Sequence, residues 1–191
     1  RVLDAVRPPG KALQLDGGSE HGAALWSDFL TRIDHYDTAR DFPAAKGPSY
    51  LSVHLRFGTL SVRALAREAW LRWRAGSRGA GVWLAELVWR EFYHHVMVGF
   101  PRVCMHRAFK PATERLRWKE NASHFAAWCE GRTGVPLVDA GMRQLRAIGW
   151  MHNRVRMVTA MFLAKNLFID WRRGERFFMY HLVDGFLASN N

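Results

Sequence analysis

The chain has 191 residues, 49% hydrophobic and 24% charged, which is enough apolar material for a packed domain and excludes a disordered chain. Its 28 lysines and arginines against 17 acids give a net charge of +11, and nine tryptophans accompany them, so a nucleic acid or a phosphate-bearing cofactor is the favoured partner. The chain has no run of about eighteen apolar residues, no signal-peptide pattern and only two cysteines, so we expect a cytoplasmic protein without a membrane segment.

Helical periodicity runs through almost the whole chain and no segment alternates like a strand, so the sequence predicts an all-α fold. We interpret residues 1–24 as a linker and residues 25–191 as one helical domain. The predicted helices are 25–36, 61–74 with Ser61 as N-cap, 82–98, 121–129, 138–148, 151–168 and 175–188. Few charges follow Arg156, which predicts that the helix at 151–168 is buried in the middle of the fold. The last predicted helix has no cap, so we expect the natural chain to continue.

Two segments place chemically useful side chains on single helix faces. Glu86 and Trp89 share one stripe of ELVWREF (86–92), while Asn153 and Met157 share an arc of GWMHNRVRM (149–157). A flat aromatic surface with hydrogen-bonding groups and a thioether suits a planar ligand with polar edges, such as a nucleobase. The alternative is ordinary helix packing, because tryptophan and methionine at helical spacing usually lie in a core.

Five motifs occur in order along the chain: YDTARDFPA (36–44), SYLSVHLRFGTLS (49–61), ELVWREFY (86–93), GWMHNRVRM (149–157) and DGFLASNN (184–191). With them, residues 25–191 resemble the FAD-binding helical domain of the photolyase/cryptochrome family, specifically the class I cyclobutane pyrimidine dimer photolyases. The resemblance implies a monomeric deoxyribodipyrimidine photolyase, in which photoexcited reduced FAD passes an electron to a pyrimidine dimer flipped out of DNA. It also implies an N-terminal α/β antenna domain, which can hold a second chromophore, and further C-terminal helices.

The resemblance assigns roles to individual residues. Glu86 would hydrogen-bond the dimer, Trp89 would stack on it, and Asn153 and Met157 would line the opposite side of the cavity. The residues for FAD would be Tyr36, Ser49, Tyr50, Leu51, Ser52 and Arg90 around the phosphates, Trp83 and Trp150 as walls, the pair Arg156 and Asp184 beside the isoalloxazine ring, and Asn190 at flavin N5. Trp118 and Trp171 would be the distal and middle members of an electron relay. Arg40, Arg90 and Arg154 would face DNA phosphates, although single arginines are more often solvated charges.

Three residues depart from the family pattern. Pro48 replaces a threonine of the phosphate loop and removes a hydroxyl and a backbone donor, Val53 replaces a proline, and Phe186 replaces an acidic residue near the flavin ring. The alternative functions are a cryptochrome-type blue-light photoreceptor that binds FAD without repair, and a helical DNA-binding module without flavin. We expect no metal site, because the spacing of His94, His95, Cys104 and His106 matches no zinc-binding pattern.

Overall fold

The computed structural model describes residues 17–190, and within them every regular element is a helix. The α-helices are α1 (Gly18–Leu30), α2 (Tyr36–Ala39), α3 (Ser52–Phe57), α4 (Val62–Arg74), α5 (Arg78–Gly99), α6 (Ala122–Glu130), α7 (Pro136–Ile148), α8 (Asn153–Met161), α9 (Trp171–His181) and α10 (Leu187–Asn190). Short 3₁₀ turns occupy Ile33–His35, Pro101–Met105 and Pro111–Arg115. The all-α prediction is confirmed for the described part of the chain.

The N-terminal boundary of the helical region lies earlier than expected. Helix α1 begins at Gly18, so residues 18–24, which we assigned to a linker, are helical, and the buried residue Gly22 packs there. The rest of the predicted linker, residues 1–16, lies outside the described residues. The predicted cap at Ser61 is confirmed, because its hydroxyl accepts a hydrogen bond from the backbone N–H of Ala64 at 3.4 Å.

The described chain divides into two compact units. Residues 17–109 with 186–189 form the first, called the N-terminal unit here, and residues 110–185 with Asn190 form the second, called the C-terminal unit. In the N-terminal unit the long helices α4 and α5 pack together. Its core consists of Phe29, Ile33, Leu51, Leu65, Ala69, Ala80, Trp83 and Leu87.

The C-terminal unit has its own core around one tryptophan. Trp128 is fully buried, packs against Phe178 at 5.5 Å between ring centroids, and donates its indole N–H to the carbonyl of Thr159 at 3.0 Å. The hydrogen bond satisfies the polar atom of a ring that is otherwise surrounded by apolar side chains. The remaining buried core residues are Val138, Met142, Leu145, Met151, Val155, Leu163, Ile169 and Leu182.

The helix predicted over 151–168 is present over 153–166, but only one of its faces is buried. Helix α8 begins at Asn153, and its last turn passes into a π-helical turn at Phe162–Asn166. One face of α8 is buried, whereas Met157 and Met161 on the other face keep 47% and 48% of their surface exposed. The small number of charged residues after Arg156 correctly indicated an apolar helix, but it did not show that all of its faces are buried.

The predicted helix at 175–188 is two helices. The side chain of Asp170 accepts the backbone N–H of Arg172, so α9 begins at Trp171 and ends at His181. A turn follows, in which the N–H of Gly185 bonds to the carbonyl of Leu182, before α10 begins. Within residues 17–190 no helix combines the length and the apolar character needed to cross a bilayer.

Candidate functional site

Helix α5 presents an aromatic surface in the N-terminal unit. Trp89 is 53% exposed, and its ring lies 5.4 Å from Phe92 in an edge-to-face contact and 6.0 Å from Tyr93. Phe92 and Tyr93 are themselves exposed. Trp89 is therefore not a core residue, as ordinary helix packing would require, because one face of its indole is exposed.

Glu86 stands one turn before Trp89 and is held by a cation. Arg40 Nη1 lies 2.6 Å from Glu86 Oε1, and the side chain of Arg40 is 17% exposed. The Arg40 guanidinium also lies 5.3 Å from the ring of Tyr36. Burial opposes the charge on Arg40, but Tyr36 and Glu86 favour it more strongly, so the pKa of Arg40 is raised. Arg40 is thus an ion-pair partner of Glu86, whereas the sequence predicted only a contact of Arg40 with DNA phosphates.

The predicted phosphate loop is shaped by local backbone geometry. The hydroxyl of Ser49 accepts the N–H of Leu51 at 3.4 Å, and Tyr50 has a φ of 58°, a left-handed conformation that is uncommon for a residue other than glycine. Leu51 is buried in the core and Ser52 opens α3. The four predicted residues 49–52 therefore form a tight turn. Leu51 anchors this turn in the core, and Ser52 connects it to α3.

Arg32 holds this loop in place through contacts that no sequence pattern predicts. Its Nη1 donates to the carbonyls of Gly47 at 3.2 Å and Pro48 at 2.8 Å, while its Nη2 pairs with Asp28 at 3.0 Å. Pro48, which lacks a backbone donor, is thus used as an acceptor. The pair Asp28–Arg32 has helical spacing that a sequence can reveal, but the contact with residues 47 and 48 depends on the folded chain.

Trp83 and Arg90 are both on α5 but have different surroundings. Trp83 is 3% exposed and packs against Trp26 with 5.0 Å between ring centroids, so it is a core residue of the N-terminal unit. Arg90 donates from Nη2 to the carbonyl of Leu55 at 3.3 Å, and its guanidinium lies 5.6 Å from the ring of Phe186. The aromatic ring at position 186 therefore faces a cation where the family pattern has a carboxylate.

The predicted pair of Arg156 and Asp184 forms in the C-terminal unit. Arg156 Nη2 lies 2.8 Å from Asp184 Oδ2, and Arg156 Nε donates to the carbonyl of Met151 at 2.8 Å. The side chain of Asp184 is 1% exposed, and its Oδ1 has no hydrogen-bond partner among the described residues. A flavin offers N–H and hydroxyl donors to such an oxygen, so this pair fits the implied cofactor.

Asn153 and Met157 occupy one exposed face at the start of α8. His152 is the N-cap and accepts the N–H of Arg154 through Nδ1 at 3.2 Å. Asn153 and Met157 are four residues apart and both exposed, and Arg154 Nη1 contacts the sulfur of Met157 at 3.7 Å. An amide and a thioether are therefore adjacent on this surface, and the half-buried Trp150 precedes them.

The predicted relay tryptophans lie on two segments that are joined by several contacts. Trp118 packs against Phe168 with 5.1 Å between ring centroids, and the N–H of Lys119 bonds to the carbonyl of Phe168 at 2.9 Å. Trp171 is the first residue of α9, three positions after Phe168. Next to it, Arg172 pairs with Glu114 at 2.6 Å. These contacts bring both predicted relay segments together in the C-terminal unit.

Two further predictions concern an amide and a metal. Asn190 donates its side-chain N–H to the carbonyl of Glu175 at 3.2 Å, so the amide is tethered to α9 and its Oδ1 remains for another partner. Over residues 17–190 no group of three or more histidine, cysteine, aspartate or glutamate side chains is arranged to hold a metal ion.

Residues 83–191 match the protein family described as the FAD binding domain of DNA photolyase. A deoxyribodipyrimidine photo-lyase of Neurospora crassa is 50% identical over 96% of this chain and 32% of its own length. The Escherichia coli protein of the same name is 54% identical over 82% of the chain and 34% of its own length. The chain therefore spans about a third of the length of these relatives.

Solved structures resemble the fold closely. A bacterial class III photolyase from Agrobacterium tumefaciens superposes with a TM-score of 0.86 at 40% identity, over 91% of this chain and 36% of the other. A cryptochrome from Synechocystis superposes with the same TM-score at 33% identity, over 93% of this chain and 38% of the other. Both similarities cover almost the whole chain, so the helical fold is shared with a photolyase and with a cryptochrome.

Proposed function

This chain belongs to the family of FAD-binding domains of DNA photolyases, and on that basis we propose that the complete protein repairs cyclobutane pyrimidine dimers in DNA under blue light. The family supports FAD as the cofactor. The residues of this chain would bind the flavin and the damaged bases, and the net charge of +11 favours a DNA partner.

The observation that carries the proposal is the exposed face of α5. Trp89 has an exposed indole face, and Glu86 lies one helical turn before it. The carboxylate of Glu86 is held by Arg40, whose Nη1 lies 2.6 Å from Oε1. A flipped-out pyrimidine dimer is planar in part and carries imide N–H and carbonyl groups at its edges. Stacking on Trp89 would orient the dimer, and Glu86 would hydrogen-bond its edge, as the resemblance implies.

The start of α8 supplies a second set of groups for the lesion. Asn153 can both donate to and accept from a base edge, and Met157 offers a polarizable apolar contact beside it. Both side chains are exposed on one face. Arg154, which contacts the sulfur of Met157 at 3.7 Å, would position Met157 and contribute a positive charge toward a phosphate.

We assign flavin binding to three groups of residues. The turn at residues 49–52 would receive the diphosphate on its hydroxyls and backbone N–H groups, with Tyr36 and Arg90 beside it. Asp184 would accept a hydrogen bond from the ring system through its buried Oδ1, while Arg156 holds the other oxygen of that carboxylate. Trp150 would pack against the cofactor, and Asn190 would present its amide oxygen to it.

When bound in its reduced state, FAD supplies the light-driven electron that splits the dimer. The protein groups contribute orientation and electrostatics. The guanidinium of Arg156, which pairs with Asp184, would lie beside the flavin ring and stabilise negative charge on it. Trp118 and Trp171 would carry electrons that restore the reduced cofactor, and the contacts through Phe168 hold their segments in place.

A second function is favoured by one specific observation. The Synechocystis cryptochrome shares the fold with a TM-score of 0.86, so a flavin-binding photoreceptor without repair is the alternative. Trp89 and Glu86 distinguish the two functions, because only repair needs a stacking surface and an acidic hydrogen-bonding group for the lesion.

The test uses the complete protein with reduced flavin and an oligothymidine that contains cyclobutane dimers. Recovery of thymine absorbance under blue light is measured for the unchanged protein and for Glu86→Gln, Trp89→Ala and the double variant. We expect recovery with the unchanged protein and a loss of about tenfold or more in quantum yield for each single variant. Glu91→Gln, an exposed change on the same helix, serves as the matched control.

A flavin-loaded protein that restores no thymine absorbance would refute the repair function. It would support the photoreceptor instead if blue light still changes the flavin spectrum. Equal repair by the unchanged protein and by Trp89→Ala would support the repair function but contradict the assignment of Trp89 to dimer binding.

A further inference from the structure

The exposed face of α4 combines tryptophan with arginine. At about 100° per residue, Arg63, Arg67, Trp70 and Arg74 fall within an arc of about 60°. All four are exposed, with Trp70 at 46%, and the Arg74 guanidinium lies 5.8 Å from the Trp70 ring. This face points away from the core residues of the helix, Leu65 and Ala69.

A groove lies where the end of α4 meets the start of α5. It is open to solvent and has a volume of about 440 Å³, and its lining residues are Trp73, Gly76, Arg78, Gly81, Val82 and Ala85. Trp73 remains 50% exposed. A volume of this size is in the range that small-molecule ligands occupy.

Gly81 allows the tryptophan to form one side of this groove. A Cβ atom at residue 81 would lie 2.5 Å from Cδ1 of Trp73 and 2.8 Å from its Nε1, closer than any side chain permits. The pyrrole edge of the indole therefore rests on the backbone of α5. The rest of the ring stays exposed, which leaves an aromatic surface for another planar group.

The charge of this region is positive. Glu68 is the only acid of α4 and pairs with Arg72 at 3.1 Å within the helix. The side chain of Arg78, at the start of α5, is 86% exposed, and its Nε lies 3.3 Å from Oδ2 of Asp37. Exposed pairs of this kind contribute little, so the guanidinium of Arg78 can contact a phosphate as well.

We propose that Trp70, Trp73 and the arginines around them bind single-stranded nucleic acid, at a surface that does not include Trp89 or Glu86. Aromatic rings that stack on successive bases, beside cations that contact the backbone, are the means by which proteins bind single strands without sequence preference. The charge complementarity with a polyanion selects this occupant over an apolar protein segment. The surface lies within the N-terminal unit and uses no residue assigned to flavin or to the dimer.

The experiment measures binding of a fluorescein-labelled, undamaged oligothymidine to the complete protein in the dark by fluorescence anisotropy. We expect Trp73→Leu and Trp70→Leu each to weaken binding at least about fivefold, because each removes one stacking surface. Arg78→Gln should lower the slope of log affinity against log salt by about 0.7, the value for one phosphate contact with a single strand. Because the side chain of Arg78 is exposed, Arg78→Gln should fold normally, so it still tests the proposal if a tryptophan variant is unstable.

Phe57→Leu is the matched control, since it removes an exposed aromatic ring of the same unit outside the groove, and Trp89→Ala is measured beside it as the competing surface. Unchanged affinity in the Trp70, Trp73 and Arg78 variants would overturn the proposal. A loss confined to Trp89→Ala would also overturn it, because a single binding surface would then account for all single-strand affinity. Repair of dimers is measured in parallel, so a failure of the repair function is recognised independently of binding at the groove.

Discussion

The guanidinium of Arg40 and the carboxylate of Glu86 lie 2.6 Å apart, although 46 positions in the sequence separate them. The pair joins the motif that begins at Tyr36 to the motif on α5. In the sequence these motifs carry separate assignments, the first to flavin and DNA and the second to the lesion. In the folded unit they share one electrostatic cluster, so a change at Arg40 alters the charge environment of Glu86.

Replacing Arg40 with Gln tests which of its two roles dominates. We expect repair to fall by about tenfold or more, because Glu86 loses the group that positions it, and misplacement of about 1 Å can cost 100-fold. The free energy of unfolding should change by less than about 1 kcal/mol, since Glu86 is about a third exposed. Repair under single-turnover illumination and chemical denaturation provide the two measurements.

Binding to damaged duplex at several salt concentrations separates positioning from phosphate contact. If Arg40 acts through Glu86, the salt slope stays unchanged in Arg40→Gln, whereas the loss of a phosphate contact lowers it by about 1. Arg154→Gln is the comparison, because Arg154 is also predicted to face a DNA phosphate and contacts the sulfur of Met157 at 3.7 Å. A reduced slope for Arg40→Gln would show that Arg40 mainly contacts DNA.

Arg32 should govern flavin affinity without touching the substrate. Arg32→Ala removes the bonds to the carbonyls of Gly47 and Pro48, each of which contributes about 1.5–3 kcal/mol when the donor is charged. We expect flavin affinity to fall by about tenfold or more, measured by recovery of flavin fluorescence on dilution. Lys46→Gln is the matched control, because Lys46 pairs with the same Asp28 at 2.8 Å. Equal flavin release from both variants would contradict a specific role for Arg32.

Asp184 is expected to matter for stability and for flavin retention. Asp184→Ala leaves Arg156 without its carboxylate partner in a largely buried site, and breaking such a pair costs about 3 kcal/mol or more. Urea denaturation of the flavin-free protein measures this loss, and the flavin absorbance per protein reports retention. Glu130→Gln, which changes an exposed pair with Arg132, should leave both values unchanged. A similar effect of the two substitutions would rule out the assigned role of Asp184.

Asp139 gives the C-terminal unit an acid-sensitive contribution to stability. Burial opposes its charge, but hydrogen bonds from the N–H and hydroxyl of Thr133 and from the N–H of Gly134 outweigh burial, so its pKa lies below 3.8. A lowered folded-state pKa stabilises the fold above pH 3.8, and this stabilisation disappears as the pH falls through the folded value.

Asp139→Asn should therefore lower the free energy of unfolding by about 2 kcal/mol at pH 7. The difference from the unchanged protein should shrink below about pH 4, where the carboxylate becomes protonated in the unfolded chain. Thermal unfolding between pH 3 and 7 measures both. Thr133→Val keeps the carboxylate and removes one donor, so its deficit should be smaller. A pH-independent deficit in Asp139→Asn would exclude the charged hydrogen-bond network as the cause.

The local signals in the sequence predicted elements better than they predicted contacts. Ser61 was identified as a cap because the cap bond spans three residues, and Glu86 and Trp89 were placed on one face because helical spacing fixes that relation. The contact between Arg32 and Pro48 had no such signal, since it depends on how a loop returns to α1. The same holds for Arg40 and Glu86.

Exposure was the other property that the sequence did not determine. The apolar run in α8 and the one in α5 look equally suited to a core, yet Met157 and Trp89 are exposed whereas Trp83 is buried. Which face of a helix is covered depends on its packing partners, and composition does not name them. The break between α9 and α10 was missed for a related reason, because the turn at 182–186 contains mostly apolar residues.

The π-helical turn at Phe162–Asn166 widens the hydrogen-bonded ring by one residue compared with an α-helical turn. Everything that follows is rotated by about 100° from a regular continuation of α8. Phe168, which Trp118 contacts, and Trp171 both follow that turn. The orientation of Trp171, the second predicted relay tryptophan, therefore depends on the number of residues in that turn as well as on the Asp170 cap that begins α9. We therefore expect a deletion of one residue inside the turn to keep both tryptophans and to change the orientation of Trp171 relative to Trp118.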